Sequence, residues 1–426
     1  MNFLSKIVQI FKIKDLRNKI LFILGAFAVF RIMGNISIPG INAEKMESAF
    51  ANNDLLGMWN MFSGGSMDKF SIVMMGLGPY ITATIILQLL TMIFPALERI
   101  YKEEGEAGKK KFNQWGRIAT IPLAFLQGYA MLALFQSEGW IVAMSTQTLL
   151  ISLLTITAGT VFLMWLGELI TEKGIGNGVS LLIFAGIVAD VPNNILQTFY
   201  AWDPAKLPAY ILFFGISALI IAAVVVINEG RRNIPVSYAK RVRGGKMFGG
   251  SSTYLPLNIN PAGVIPIIFA MSLLMFPGMI SNFLGGAEGW VGQAATALGN
   301  FFENQWIYQG LYFVLIVAFT FFYTAVTFDP KAISTNLQKM GGFIPGIRPG
   351  TSTANFMYFI LNRVLLIGAL FLGIIAILPS IISTITNITT FNFLIGGTAL
   401  LIVVSVALDI MRQVKSQLEM REYETF

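Results

Sequence analysis

The chain has 426 residues, 55% of them hydrophobic and only 12% charged, where a soluble domain carries about a quarter charged residues. It contains neither cysteine nor histidine, which excludes disulfide frameworks, thiolate metal sites and cysteine nucleophiles, and removes the commonest metal ligand and general base. The net charge of +7 reads as basic loops on one side of a membrane rather than as a nucleic-acid footprint.

The chain opens with MNFLSKIVQIFKIKDLRNK, basic and amphipathic. It is expected to lie along the inner membrane surface, with Phe3, Leu4, Ile7, Val8, Ile10 and Phe11 towards the lipid. The apolar run Ile20–Phe30 has the look of a signal-peptide core. No small-residue cleavage site follows it, so it reads as an uncleaved first span. Apolar runs of about 20 residues, enough to cross a ~30 Å hydrocarbon core, then recur along the chain. The expected spans are 20–38, 71–94, 118–136, 148–170, 179–200, 209–228, 262–282, 308–327, 360–379 and 392–411. The fifth is expected to break at Asp190–Pro192. The seventh opens with Pro261 and contains Pro266 and Pro277. Such breaks are tolerated where protein or a watery cavity satisfies the freed backbone groups.

Between the first two spans, LLGMWNMFSGGSMDKF (55–70) is hydrophobic but too short to cross, and is broken at Ser63-Gly64-Gly65. Two readings stand: a surface helix on the outer face, or a re-entrant segment that would block a pore when idle. In the next span Gly76, Gly78 and Pro79 loosen the first turns. Leu77 and Ile81 share one helical face, as do Ile183 and Ile187 in the fifth span. Taken alone these are ordinary membrane-helix pairs. Thr82, Thr84 and Gln88 read as interhelical hydrogen-bond partners.

Placing the N-terminus inside assigns the loops 95–117, 171–178, 229–261 and 328–359 and the C-terminal tail to the cytoplasm. Of the 29 basic residues, all but Arg31, Lys45, Lys69 and Lys206 then fall on that side, so both termini are expected to be cytoplasmic. Ten spans divide into five and five, and an odd number per half permits an inverted repeat. The split falls near 201–208, in AWDPAKLP. No span carries a carboxylate near its centre. Arg31 sits towards the outer end of the first, and Glu168 and Asp409 near the inner ends of the fourth and tenth. That argues against a proton-coupled carrier or a voltage sensor. A serine–lysine enzyme would need a lysine within a span, and there is none. GGKMFGG lacks the spacing of a P-loop. From the residues alone, a passive channel and a small-solute transporter stand level. The loops 229–261 and 328–359 are long, basic and punctuated by Pro and Gly, as suits docking of a large anionic partner.

Nine stretches carry a resemblance. They are MFSGG (61–65), GPYITATIILQLL (78–90), KEEGEAGKKKFNQWGR (102–117), TEKGIGNGVSLLIFAGIV (171–188), YAKRVRGGK (238–246), STYLPLNINPAGVIPIIFA (252–270), FFYTAVTFDP (321–330), GFIPGIRPGTSTA (342–354) and GGTALLIVV (396–404). In this order and placement the chain resembles the bacterial SecY translocon family over nearly its full length. The resemblance implies an all-α integral membrane protein. Ten transmembrane helices form two pseudo-symmetric inverted halves of five, 1–200 and 209–426, hinged at 201–208 around a central hourglass pore. It implies a pore ring of Leu77, Ile81, Ile183, Ile187, Ile268 and Ile402. It places the plug in 55–70, with Met61, Phe62, Ser63, Gly64 and Gly65, and a lateral gate at Thr82, Gln88, Met271 and Phe276. Arg348, with Arg241 and Arg243, would dock a motor or ribosome. The loop after the sixth span, EGRRNIPVSYAKR, departs from the family's usual QRRIP, and its arginine register is shifted. The implied function is a channel, not an enzyme, in the bacterial cytoplasmic membrane. It would pass unfolded precursor polypeptides and release signal sequences sideways into lipid, using no cofactor and no metal. The implied partners are SecE and SecG subunits, the SecA ATPase and the ribosome, with no sequence-specific nucleic-acid binding.

Overall fold

The computed structural model describes residues 13–38, 60, 63–102, 104–137, 139–141, 144–200, 204, 207–238, 241–243, 246–248, 252–284, 290–386 and 397–424. Of the opening 1–19 expected on the membrane surface, residues 1–12 lie outside the described residues, as do Met61, Phe62 and most of the expected hinge.

Each expected span falls on a helix. The first is α1 (Lys14–Gly34), closed by Asn35, whose side-chain Nδ2 donates to the Arg31 carbonyl at 2.8 Å. The second, α2 (Gly78–Ile93), is shorter than the 71–94 expected. Residues 71–77 form successive tight turns instead. Amides of Met74, Gly76 and Gly78 each donate to the carbonyl three residues back, and the Ser71 hydroxyl accepts from the Val73 amide. A serine bonding its own backbone in this way competes with helix, and Phe70 just before it has φ 49°. At Phe94, held extended by the following proline, the chain turns through 115° into α3 (Pro95–Lys102).

Next come α4 (Gly105–Ser137), α5 (Thr146–Lys173), α6 (Gly178–Tyr200) and α7 (Leu207–Glu229). Ser145 caps α5, accepting from the Thr148 amide, and Asn177 caps α6, accepting from the Val179 and Ser180 amides. Contrary to expectation, α6 does not break at Asp190–Pro192. A proline removes one ladder bond, and packing of α6 against α1, α5 and α13 (Gly397–Glu424) outweighs it.

The remaining helices are α8 (Ile265–Leu284), α9 (Trp290–Glu303), α10 (Gln305–Thr327), α11 (Pro330–Lys339) and α12 (Thr351–Thr386). α9 and α11 lie outside the expected spans. Among the described residues four helical stretches, in α4, α5, α10–α11 and α12, are each long and apolar enough to cross a membrane. The bent pair α2–α3 makes a fifth. In α6, α7 and α8 the apolar stretches are shorter, and α1 and α13 pair an apolar run with charged ends.

The all-α expectation needs one further correction. The two long loops meet in a small sheet of order β4-β1-β5. β1 (Arg231–Tyr238) pairs antiparallel with β4 (Ser252–Asn258), Ile234 opposite Leu255, and with β5 (Gly342–Phe343), Ser237 opposite Phe343. β2 (Arg241–Arg243) and β3 (Lys246–Phe248) form a hairpin at its tip. Ile234, Leu257, Ile344 and Met357 form a small core that fastens the sheet to α12. A polar chain ties α7, α13 and the segment between β4 and α8 nearby. Asn228 donates to Ser405 at 2.6 Å, Asn260 donates to Asn228 at 3.0 Å, and Arg412 bonds Glu229 at 2.8 Å and the Asn228 carbonyl.

Candidate functional site

α2, α6, α8 and α13 converge on one large apolar cluster that also takes in side chains of α1, α5, α7, α10 and α12. Leu77, Ile183, Ile187, Ile268 and Ile402 are buried members of it, and Ile81 packs against it partly buried. Ile402 is fully buried, at 0% exposure. The six residues separate along the sequence thus belong to a single contiguous core. They supply only methyl and methylene surface, so the constriction they can form offers no fixed hydrogen bond and is unwelcoming to water and ions.

Beside this cluster lies the turn segment 63–77. Asn60 organises its start. Its side-chain oxygen accepts from the Met67 and Asp68 amides at 3.1 and 3.2 Å, and its carbonyl accepts from the Gly65 amide and the Ser63 hydroxyl. Ser63, Ser66, Met67, Phe70, Val73, Met74 and Met75 are all buried. The surface-helix reading of 55–70 therefore does not hold for its described part, which is folded inside the protein. Gly64, at φ 72°, sits against α6 and α1. A Cβ there would lie 2.9 Å from both the Gly186 Cα and the Phe30 ring. Arg31 donates to the Gly64 carbonyl at 3.0 Å and pairs with Asp190 at 3.5 Å. A second apolar cluster, Met67, Phe70, Met74 and Met75 with Met131, Phe135 and Ile156, fastens the segment to α4 and α5. The Ile72 carbonyl meets α5 at Gly159, where a Cβ would stand 2.0 Å from that oxygen.

α8, which carries Met271, packs on α4 and on α2, which carries Thr82 and Gln88. Thr82 is buried and accepts from Gln127 of α4 at 3.5 Å. The Gln88 side-chain oxygen is buried without a hydrogen-bond partner among the described residues. Met271 is buried in the central cluster, and the Phe276 side chain lies outside the described residues. The Thr82–Gln127 bond joins α2 to α4 on one side of the seam with α8, and the Gln88 oxygen carries the cost of a buried acceptor left unpaired. α6 also packs against α13.

Arg348 is exposed on the loop between β5 and α12. Buried Ile344 anchors the loop. The Thr353 hydroxyl donates to the Arg348 carbonyl at 2.9 Å, and the Ser334 hydroxyl to the Gly350 carbonyl at 2.6 Å. The backbone that presents the arginine is thus fixed at both ends. Arg241 and Arg243 lie on β2, their side chains outside the described residues.

Sequence reasoning missed Asn60, Gln127 and, above all, Asp190. The last was read as part of a helix break. It is instead a carboxylate inside α6 with a cationic partner on α1. A single acid in an otherwise apolar run was the available signal.

Comparison with known proteins places this architecture. The family model described as SecY matches residues 71–411. The protein translocase subunit SecY of Streptomyces galbus is 41% identical over 99% of both chains, and that of Mycobacterium tuberculosis H37Rv is 40% identical over the same shares. Among solved structures, one whose plug domain is described as stabilising the closed state of the translocation channel superposes with a TM-score of 0.62. It has 18% identity, over 93% of this chain and 91% of that one. The Sec61 chain of a canine ribosome–channel complex gives 0.61, also at 18% identity over 93% and 91%.

Proposed function

The chain belongs to the SecY family, and from that membership we propose that its central apolar cluster is the constriction of a pore for unfolded polypeptides. As a family member it is a channel subunit of the protein translocase, not an enzyme, and a multi-pass protein of the bacterial membrane. In the finer reading, ten spans form two halves, α1, α2 and α4–α6 against α7, α8, α10, α12 and α13, hinged at 201–208, with both termini cytoplasmic. Leu77, Ile81, Ile183, Ile187, Ile268 and Ile402 are the ring, and the segment ending at residue 70 is the plug. A hydrophobic segment in transit leaves through the seam of α2 and α4 with α8, near Thr82, Gln88, Met271 and Phe276, when it prefers lipid to the pore.

The observation that carries this is the gathering of five isoleucines from four helices, and of Leu77 from the turn before α2, at one apolar cluster with the folded-in segment packed beside it. An aliphatic gasket closes around any extended chain without selecting its sequence, as a general secretory channel requires. A small-solute transporter would instead place polar or ionised groups at that point.

The partners proposed are SecE and SecG subunits, the SecA motor and the ribosome. Ribosome-bound relatives of this fold support the last. Arg348 and the β1–β4–β5 sheet form the docking face, with Arg241 and Arg243 at its tip. The test is reconstitution of the chain with a SecE partner in proteoliposomes, with SecA, ATP and a labelled precursor added. Protease protection of the precursor is expected, and Arg348→Glu should abolish it while the complex still assembles. Uptake of a small solute with no precursor protected would overturn the proposal.

A further inference from the structure

Two charged side chains far apart in the sequence meet beside the turn segment. Arg31 of α1 and Asp190 of α6 lie 3.5 Å apart, and the same Arg31 nitrogen donates to the Gly64 carbonyl at 3.0 Å. The Asp190 carboxylate is pressed against Gly65, where a Cβ would fall 2.7 Å from each of its oxygens. Among the described residues, Asp68 and Lys69 are the other charged groups within electrostatic reach of Asp190, and Lys69 is held by the Asn35 side chain at 2.9 Å. The two members of the pair are 33% and 18% exposed, so solvent screens them only in part.

From this geometry we propose that Arg31 and Asp190 form a latch that holds residues 63–66 in the notch between α1 and α6 and so sets how readily the channel opens. The proposal rests on the channel reading above. Asp190 orients the guanidinium, and the guanidinium holds the segment's backbone. The guanidinium grips backbone rather than a side chain, and the notch admits only glycine at 64 and 65, where a Cβ would meet Gly186 and Phe30 or the Asp190 carboxylate. When the segment leaves, Arg31 loses its neutral acceptor and the carboxylate loses the cover of Gly65. The fold position matters too. Gly186, which touches Gly64, directly precedes the ring residue Ile187. Release of the segment and loosening of the ring therefore share one turn of α6.

The experiment compares the resting ion conductance of reconstituted complexes in planar bilayers, with precursor protection measured on the same preparations. Asp190→Asn leaves Arg31 without its orienting charge. It is expected to raise resting conductance on the order of tenfold, the effect of one charge-assisted hydrogen bond, while precursor is still protected. The exchange Arg31→Glu with Asp190→Arg restores a pair between α1 and α6 but leaves no donor at position 31 for the Gly64 carbonyl. It is expected to stay leaky. Conductance of Asp190→Asn at the wild-type level overturns the latch. So does an exchange variant as tight as wild type, since the pair would then only staple two helices. Wild-type complex that protects no precursor sinks the channel reading itself and the latch with it.

Discussion

Replacing Ile402 by asparagine probes the seal at its most buried point. The side chain is wholly enclosed in the central cluster. Removing a buried isoleucine from its apolar surroundings forfeits about 1.5–3 kcal/mol. Enclosing an amide there without a partner costs about 1–3 kcal/mol more. On the proposed ring both penalties fall on the closed state, because position 402 would face water in the open pore, where asparagine is solvated. The closed state is thus disfavoured by roughly 3 kcal/mol or more, and at 1.4 kcal/mol per decade the resting open population rises about a hundredfold or beyond. Ile402→Val is the control. It keeps the surface apolar and costs about 0.5–1.5 kcal/mol, so its effect stays within about tenfold. Single-channel recording of purified complexes reads the open probability directly. Equal resting conductance in the asparagine and valine variants, with both assembling normally, would refute the placement of Ile402 in the seal.

Two further substitutions test how the turn segment is held. Gly159→Val drives a side chain into the Ile72 carbonyl at a contact that already excludes a Cβ. A loss of about 1–3 kcal/mol or more should appear as a lowered melting temperature of the detergent-purified chain. Asn60→Ala removes the acceptor of the Met67 and Asp68 amides. About 1–2 kcal/mol of cap stability should be lost locally, with faster hydrogen exchange over residues 63–70 and unchanged exchange in α12. By contrast Arg117, half exposed in its pair with Glu168 at 2.7 Å, contributes no more than about 1 kcal/mol. Arg117→Ala should leave the melting temperature within a few degrees.

The apolar runs made the helices legible, because a span must be long, apolar and internally hydrogen-bonded whatever it packs against. The same logic hid the exceptions. Residues 71–77 are as apolar as any span, and nothing in hydropathy separates a buried turn from a buried helix. The separation lies in Ser71 and in the backbone of Phe70. The break assigned to Asp190–Pro192 was reasonable for a lone acid beside a proline. What decides it is Arg31, far away in sequence. The sheet was harder still. β5 is two residues long and pairs with a strand a hundred positions earlier, so no local pattern announces it, though Ile234 and Val236 alternate inward as a strand should. The ring aliphatics had no signal of their own. Only the family resemblance singled them out, while the burial that unites them is a tertiary fact.

The most direct test of a plugged protein channel uses the chain's lack of cysteine. A Cβ at Gly34 on α1 lies 4.0 Å from the Ser66 Cβ, within the range a disulfide spans. The pair Gly34→Cys with Ser66→Cys can therefore be oxidised without background and fastens the turn segment to α1. Precursor protection is then measured in reconstituted complex with SecA and ATP, before and after reduction. The expected result is no protection while the bond is intact and recovery of wild-type protection on adding reductant. A quantitatively cross-linked complex that passes precursor as well as the reduced one would contradict the assignment of this segment as the plug.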